Sequence, residues 1–135
     1  MSELKELAAE AKHELLTHII PFWRGMRDDK FGGYYGYLSY DLALDEKAEK
    51  GCILNSRITW FFANAYLLYK DGGISEEECE AAGFKGEDLL AEAKHGYEFL
   101  REHCIDKEYG GIFWSLNYDG TPLDTTKHTY NQAFC

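Results

Sequence analysis

Apolar residues recur at helical spacing along the first twenty positions. Leu4, Leu7, Ala8, Ala11, Leu15 and Ile19 fall on one side of a predicted helix whose other positions are largely charged. Pro21 predicts a bend or an end to that helix, with a short continuation through Trp23 and Met26. A second one-sided stripe runs through Leu90, Ala93, Tyr97, Leu100 and Cys104, with Gly83 and Gly86 punctuating the chain ahead of it. Between the two lies a different pattern. In NSRITWFFANAYLLYK, Asn55 to Lys70, the residues Ile58, Trp60, Phe61, Phe62, Ala63, Ala65, Tyr66, Leu67 and Leu68 go nearly all the way round. That pattern predicts a helix covered on every side, with Asn55 or Ser56 as its N-cap.

Two segments between these helices match each other. GGYYGYLSYD, Gly32 to Asp41, and GGIFWSLNYD, Gly110 to Asp119, share the Gly-Gly pair, the Leu and the closing Tyr-Asp. Each is preceded by an Asp-Lys pair, Asp29-Lys30 and Asp106-Lys107, with one residue of slip. Each reads as a hairpin. Tyr35 and Tyr37 share one face of the first strand while Tyr34, Leu38 and Tyr40 share the other, and the second copy carries an Asp-Gly turn signal in YDGT, Tyr118 to Thr121. The order is one-sided helix, hairpin, all-round helix, and then the same again. That order suits an outer helix, a loop across one rim and an inner helix. Units of this kind stack so that each buries its neighbour's face, and a ring of helical hairpins is their closed form. The segment TTKHTYNQAFC reads as the opening turns of a second inner helix starting near Thr126. The expected organisation is one full repeat, 1–71, and most of another, 75–135, within a single incomplete toroid. Open repeat ends of this sort predict self-association.

Composition narrows the function classes. With 24 Asp and Glu against 14 Lys and Arg, the 135-residue chain is acidic and has no basic stripe for phosphates. No apolar run reaches the length of a membrane span, and the amphipathic N-terminus lacks a signal core. The expected location is the cytoplasm. Cys52, Cys79, Cys104 and Cys135 contain no C-x-x-C pair, so reduced, mostly buried thiols are expected. His13 and His18 are not at the i, i+4 spacing that aims two imidazoles at one ion, and no metal or other cofactor is expected. The 10 Tyr, 8 Phe and 3 Trp serve core packing, or the stacking of a sugar or apolar ligand.

The stretches FWRGMRDDKFGGYYGYLSYD, LNSRITWFFANAY, DKEYGGIFWSLNYDGTPLD and KHTYNQAF together resemble the N-terminal part of the N-acylglucosamine 2-epimerase family, and within it the cellobiose 2-epimerase branch. The resemblance covers nearly the whole chain, in order. It implies an all-α fold, the N-terminal part of an (α/α)6 barrel built of helix–β-hairpin–helix repeats with short hairpins on one rim. It also implies inversion at C2 of a reducing-end sugar, a cellobiose-like disaccharide or a hexose. The ring opens, the C2 proton leaves, an enediolate forms, and a proton returns to the other face. Histidines act as base and acid, and polar groups hold the enediolate oxygens.

Two positions match the family's site motifs. Arg57, in NSRITW, lies in the first turn of the first inner helix, where the helix dipole disfavours a cation. The resemblance implies that it hydrogen-bonds the sugar oxygens and stabilises the enediolate; the alternative is an ion pair to a carboxylate such as Asp45 or Glu49. Tyr130, in KHTYNQAF, corresponds to a tyrosine that lines the sugar pocket; the alternative is a packed aromatic with a bonded hydroxyl. The family's acid–base histidines lie in later repeats, so His128, His95 and His103 are read as structural, rim or solvated groups. The chain by itself is therefore expected to be inactive. Two other readings compete. An inverting glycoside hydrolase on the same barrel would need two carboxylates about 6.5–9.5 Å apart; Asp28, Asp41, Asp45, Asp119 and Asp124 are available, but turn and cap duty explains each. A non-catalytic helical-repeat interaction module is the third.

Overall fold

The computed structural model describes residues 2–135. The chain is helical with one small sheet. Helix α1 (Glu3–Glu14) runs through a π-helical turn (Leu15–Ile19) into α2 (Ile20–Gly25). A long loop leads to strand β1 (Lys50–Gly51) and helix α3 (Cys52–Lys70). Helices α4 (Glu76–Ala81) and α5 (Gly86–Phe99) follow, and α5 ends in a second π turn (Leu100–Cys104). Strands β2 (Ser115–Leu116) and β3 (Pro122–Asp124) precede helix α6 (Thr129–Phe134).

The core forms where α2, α3, α4 and α5 meet. Leu16, Ile20, Met26, Tyr34, Ile58, Phe62, Ala65, Ile74, Cys79, Phe84, Leu89 and Ala93 make one buried cluster. A smaller cluster, Cys52, Phe99, Cys104 and Leu116, lies under the second rim loop. The apolar stripe expected on the first helix is displaced. Leu4 and Leu7 stay exposed, α1 buries no residue, and the buried face starts at Leu16 and Ile20. Pro21 does not end the helix; it sits at the start of α2, directly after the π turn, and the helical run continues through it. On α5 the buried positions are Gly86, Leu89, Glu92, Ala93, Gly96 and Phe99, so Leu90 and Tyr97 of the expected stripe lie off the core. The π turn then carries the buried face on to Cys104, five residues after Phe99.

Helix α4 was not expected. It is fixed by Ser75 and Glu78, which form a reciprocal capping box (Glu78 N–H to Ser75 Oγ, 3.2 Å; Ser75 N–H to Glu78 Oε2, 2.8 Å). The start of α3 differs too: the helix begins at Cys52, its N-cap is Gly51, and neither Asn55 nor Ser56 caps it. Nor is α3 covered all round, since Trp60, Leu67 and Leu68 are exposed. Helix α6 starts at Thr129 rather than near Thr126.

The hairpins form unequally. In the second copy β2 and β3 pair antiparallel, closed by Asn117 N–H to Thr121 O and by Gly120 at φ 87°. The first copy has only isolated bridges, Arg27 with Tyr34 and Leu38 with Leu44. The two copies are joined through the sheet, because β1, which leads into α3, pairs antiparallel with β2 (Lys50 opposite Leu116, Gly51 opposite Ser115).

Candidate functional site

The repeated Gly-Gly segments build the floor from which the candidate residues rise. Asp28 Oδ1 accepts the N–H groups of Lys30 and Phe31 (2.9 and 3.0 Å), and Asp106 Oδ1 accepts those of Glu108 and Tyr109 (2.9 and 3.0 Å). In both loops the aspartate N–H donates to the second glycine's carbonyl, and the first glycine's N–H donates back to the aspartate carbonyl. The outer carboxylate oxygen of each binds a lysine that follows later in the chain: Lys50 Nζ to Asp28 Oδ2 at 2.6 Å, and Lys127 Nζ to Asp106 Oδ2 at 2.5 Å. The aspartates and Gly-Gly pairs of the two copies are therefore in register without slip, while the lysines follow at 22 and 21 residues. Asp28, not Asp29, is the counterpart of Asp106, and the lysines that matter are Lys50 and Lys127, not Lys30 and Lys107. Burial alone would raise the Asp28 carboxyl, but Lys50 and the two N–H groups outweigh it and hold it below its usual value.

Helix α3 rises from the first loop and carries Arg57. Because the helix starts earlier than expected, Arg57 lies in its second turn, where the dipole penalty is weaker. Its side chain is exposed, and among the described residues it makes no ion pair. The two carboxylates that could have paired with it are engaged elsewhere: Asp45 Oδ1 accepts Lys47 N–H at 2.9 Å, and Glu49 Oε2 accepts Ser115 Oγ–H at 3.3 Å. Two hollows share Arg57 as a lining residue. One, of about 350 Å³, is lined by Ser56, Arg57, Trp60, Ala133 and Phe134. The other, of about 510 Å³, is lined by Trp23, Ile53, Leu54, Arg57, Ile58, Trp60 and Phe61.

Helix α6 brings Tyr130 beside this face but not into either hollow. The Tyr130 ring lies 4.8 Å from that of Phe134, and Arg57 lies 6.0 Å from the Phe134 ring centroid. Phe134 thus neighbours both candidates. Ser56 Oγ–H donates to Phe134 O at 2.5 Å and ties α6 to α3. Trp60, 69% exposed one turn beyond Arg57, gives the site an aromatic wall. Neither Trp60 nor Phe134 was singled out from the sequence. For Trp60 the available signal was its i+3 spacing from Arg57; for Phe134 there was none.

The histidines take local roles. His95 Nε2 lies 2.8 Å from Gly33 O and His103 Nδ1 lies 3.2 Å from Gly120 O. His18 Nδ1 pairs with Glu14 at 2.7 Å, and the His128 ring packs on Trp114 with centroids 4.8 Å apart. No group of three or more His, Cys, Asp or Glu is placed to hold a metal among the described residues. Cys52, Cys79 and Cys104 are buried and Cys135 is exposed; the neighbouring Cys52 thiol and burial push the Cys104 thiol up. No helix among the described residues is long and apolar enough to cross a membrane.

An arginine with no carboxylate partner among the described residues, beside aromatic rings in the second turn of a helix, fits the family suggested by the motifs. Comparison decides it: the profile of the N-acylglucosamine 2-epimerase (GlcNAc 2-epimerase) family matches residues 33–135. The chain belongs to this family. It is 51% identical over 128 residues to a cellobiose 2-epimerase of Ruminococcus albus, covering 95% of this chain and 29% of that protein. It is 53% identical over 121 residues to a cellobiose 2-epimerase of Eubacterium cellulosolvens, covering 90% of this chain and 26% of that protein. The structure of a cellobiose 2-epimerase from Bacillus thermoamylovorans B4167 superposes with a TM-score of 0.83 at 39% identity, over 96% of this chain and 30% of that one. The chain thus spans under a third of the length of the relatives it matches.

Proposed function

We propose that this chain supplies one wall of a sugar 2-epimerase site. Its two helix–loop–helix units, 1–71 and 75–135, form part of an (α/α)6 barrel. The substrate is a reducing-end sugar of the cellobiose kind. The observation that carries the reading is Arg57: exposed, without an ion pair among the described residues, and bordering both hollows on α3. A guanidinium offers five N–H donors in a planar fork, suited to two adjacent sugar oxygens. Its stabilisation grows as those oxygens gain charge in the enediolate, so it acts on the transition state more than on the bound sugar. Tyr130 borders the same sugar, and Phe134 and Trp60 offer it apolar faces. The whole protein works in the cytoplasm.

Proton transfer to and from C2 needs a base on one face and an acid on the other. The imidazoles described here are bound to carbonyls, to Glu14 or to Trp114, and none lines the Arg57 hollows. The chain by itself should therefore not epimerise cellobiose. The hydrolase reading loses its carboxylates. Asp28 is locked to Lys50, and Asp41, Asp45, Asp119 and Asp124 each bind groups within their own turns. The exposed Trp60, Leu67 and Leu68 on α3 also favour self-association of the 135-residue chain, which sedimentation at rising concentration would reveal.

The test is a whole-length chimera in which this chain replaces the matching segment of the Ruminococcus albus enzyme. The chimera should epimerise cellobiose, its Arg57→Ala variant should lose most of that activity, and the 135-residue chain alone should show none. A folded Arg57→Ala chimera with full turnover would refute the reading.

A further inference from the structure

Both rim loops contain a contact that the sugar site itself does not use. In each, the peptide just after a Gly-Gly pair is held by a side-chain amide from the opening turns of the next helix. Tyr34 N–H donates to Asn55 Oδ1 at 2.8 Å, and Ile112 N–H donates to Gln132 Oε1 at 2.7 Å. The other end of each amide is also tied: Asn55 Nδ2–H donates to Gly51 O at 3.1 Å, and Gln132 Nε2–H donates to Ile112 O at 2.8 Å. Beside Gln132, the buried Asn131 adds Nδ2–H to Phe113 O at 2.7 Å. This close approach is what requires glycine. A Cβ on Gly33 would stand 2.6 Å from Asn55 Oδ1, and one on Gly111 would stand 2.9 Å from Gln132 Oε1. Both glycines also have positive φ, 66° and 80°.

A buried amide that donates to one fixed backbone group and accepts from another has a single orientation. It therefore sets how far its helix advances and turns relative to the loop. Capping does not account for Asn55, which is fully buried inside α3, three residues past the helix start. Arg57 lies two residues after Asn55, and Tyr130 two residues before Gln132.

We propose that Asn55 and Gln132 are positioning residues, amide clamps that fix the first turns of α3 and α6 against the Gly-Gly loops and so set where Arg57 and Tyr130 stand. The inference rests on the sugar-site reading above. A displacement of about 1 Å at a reacting centre costs on the order of 10²-fold in rate. Because Arg57 acts in the transition state, losing its position lowers kcat and leaves KM unchanged.

The experiment uses the chimera described above and measures kcat, KM and melting temperature for Asn55→Ala, Asn55→Asp, Arg57→Ala and Ser75→Ala. Ser75 caps the short helix α4, away from the site, and serves as a matched loss of stability. The expected result for Asn55→Ala is a kcat lower by about tenfold to 10²-fold at unchanged KM. Asn55→Asp keeps an acceptor for Tyr34 N–H and should fall between Asn55→Ala and wild type. Ser75→Ala should melt earlier and keep its kcat. A folded Asn55→Ala with wild-type kcat, while Arg57→Ala abolishes turnover, overturns the clamp. If Asn55→Ala does not fold, wild-type kcat in Asn55→Asp does the same. An Arg57→Ala chimera that keeps full turnover overturns the sugar-site reading instead.

Discussion

The two aspartate–lysine locks use the same bonds in different surroundings. Lys50 and Asp28 have 0% and 1% of their side chains exposed, whereas Lys127 and Asp106 have 30% and 10%. The difference comes from what lies over them. The ring of Phe99, from the end of α5, stands 5.2 Å from Lys50 Nζ, and His95 from the same helix reaches Gly33 O. The first loop is thus roofed by the helix of the second unit. Over the second loop the rings beside Lys127 are Tyr109 and Phe113 of its own unit, at 5.9 and 6.0 Å. Each loop brings its own hydrogen bonds, and burial comes from the neighbouring unit, as stacked repeats require.

The largest expected effect follows from that contrast. Lys50→Met leaves the Asp28 carboxylate buried and unpaired, and should cost about 3–5 kcal/mol in chemical denaturation. Lys127→Met leaves Asp106 access to water and should cost clearly less; equal losses would break the comparison. Tyr34→Phe is next. The Tyr34 hydroxyl donates to Glu92 O and Oε2 (2.9 and 3.2 Å), which links the first loop to α5. Burial, reinforced by Glu92, pushes this phenol well above its ordinary value, so it stays a donor across the working pH range. Its removal should cost about 1–3 kcal/mol.

Acid should separate the locks further. Asp28 in the fold is held below the usual aspartate value of about 3.9. Its contribution is complete above that unfolded value and is lost as pH falls through the lower folded one. Asp28→Asn should therefore lose stability at neutral pH and show a flatter decline than wild type in denaturation curves taken from pH 5 down to about pH 2. The smallest effect is expected at Ser75→Ala, about 1 kcal/mol from the lost α4 cap, with no change in the locks.

Much of this arrangement was legible in the sequence because it depends on local pattern. The alternation of one-sided and all-round helices, the two matching Gly-Gly segments and the motif around Arg57 located the elements and the family. What was missed depends on contacts between distant residues. The Asp28–Lys50 and Asp106–Lys127 pairs span 22 and 21 positions, and only the folded chain brings each lysine to its aspartate. Asn55 looked like an N-cap because a short polar residue before an apolar run usually is one. Here the extended pairing of β1 with β2 leads into a helix that starts at Cys52, and the amide turns to Tyr34 N–H. The helix stripes were misplaced because the packing partner decides which apolar face is covered: on α5 it is the face of Leu89, Ala93 and Gly96, not that of Leu90 and Tyr97, and α1 buries no residue. The exposure of Trp60 could not be read from an apolar count, since composition says how apolar a helix is and not which side is covered.

The most direct measurement follows the C2 hydrogen itself. In D2O, the chimera carrying this chain should place deuterium at C2 of the reducing-end sugar as it turns over cellobiose, and Arg57→Ala should lose exchange and product together, because in the proposed mechanism both pass through one enediolate. Exchange at C2 that continues at the wild-type rate without Arg57 would contradict its assigned role.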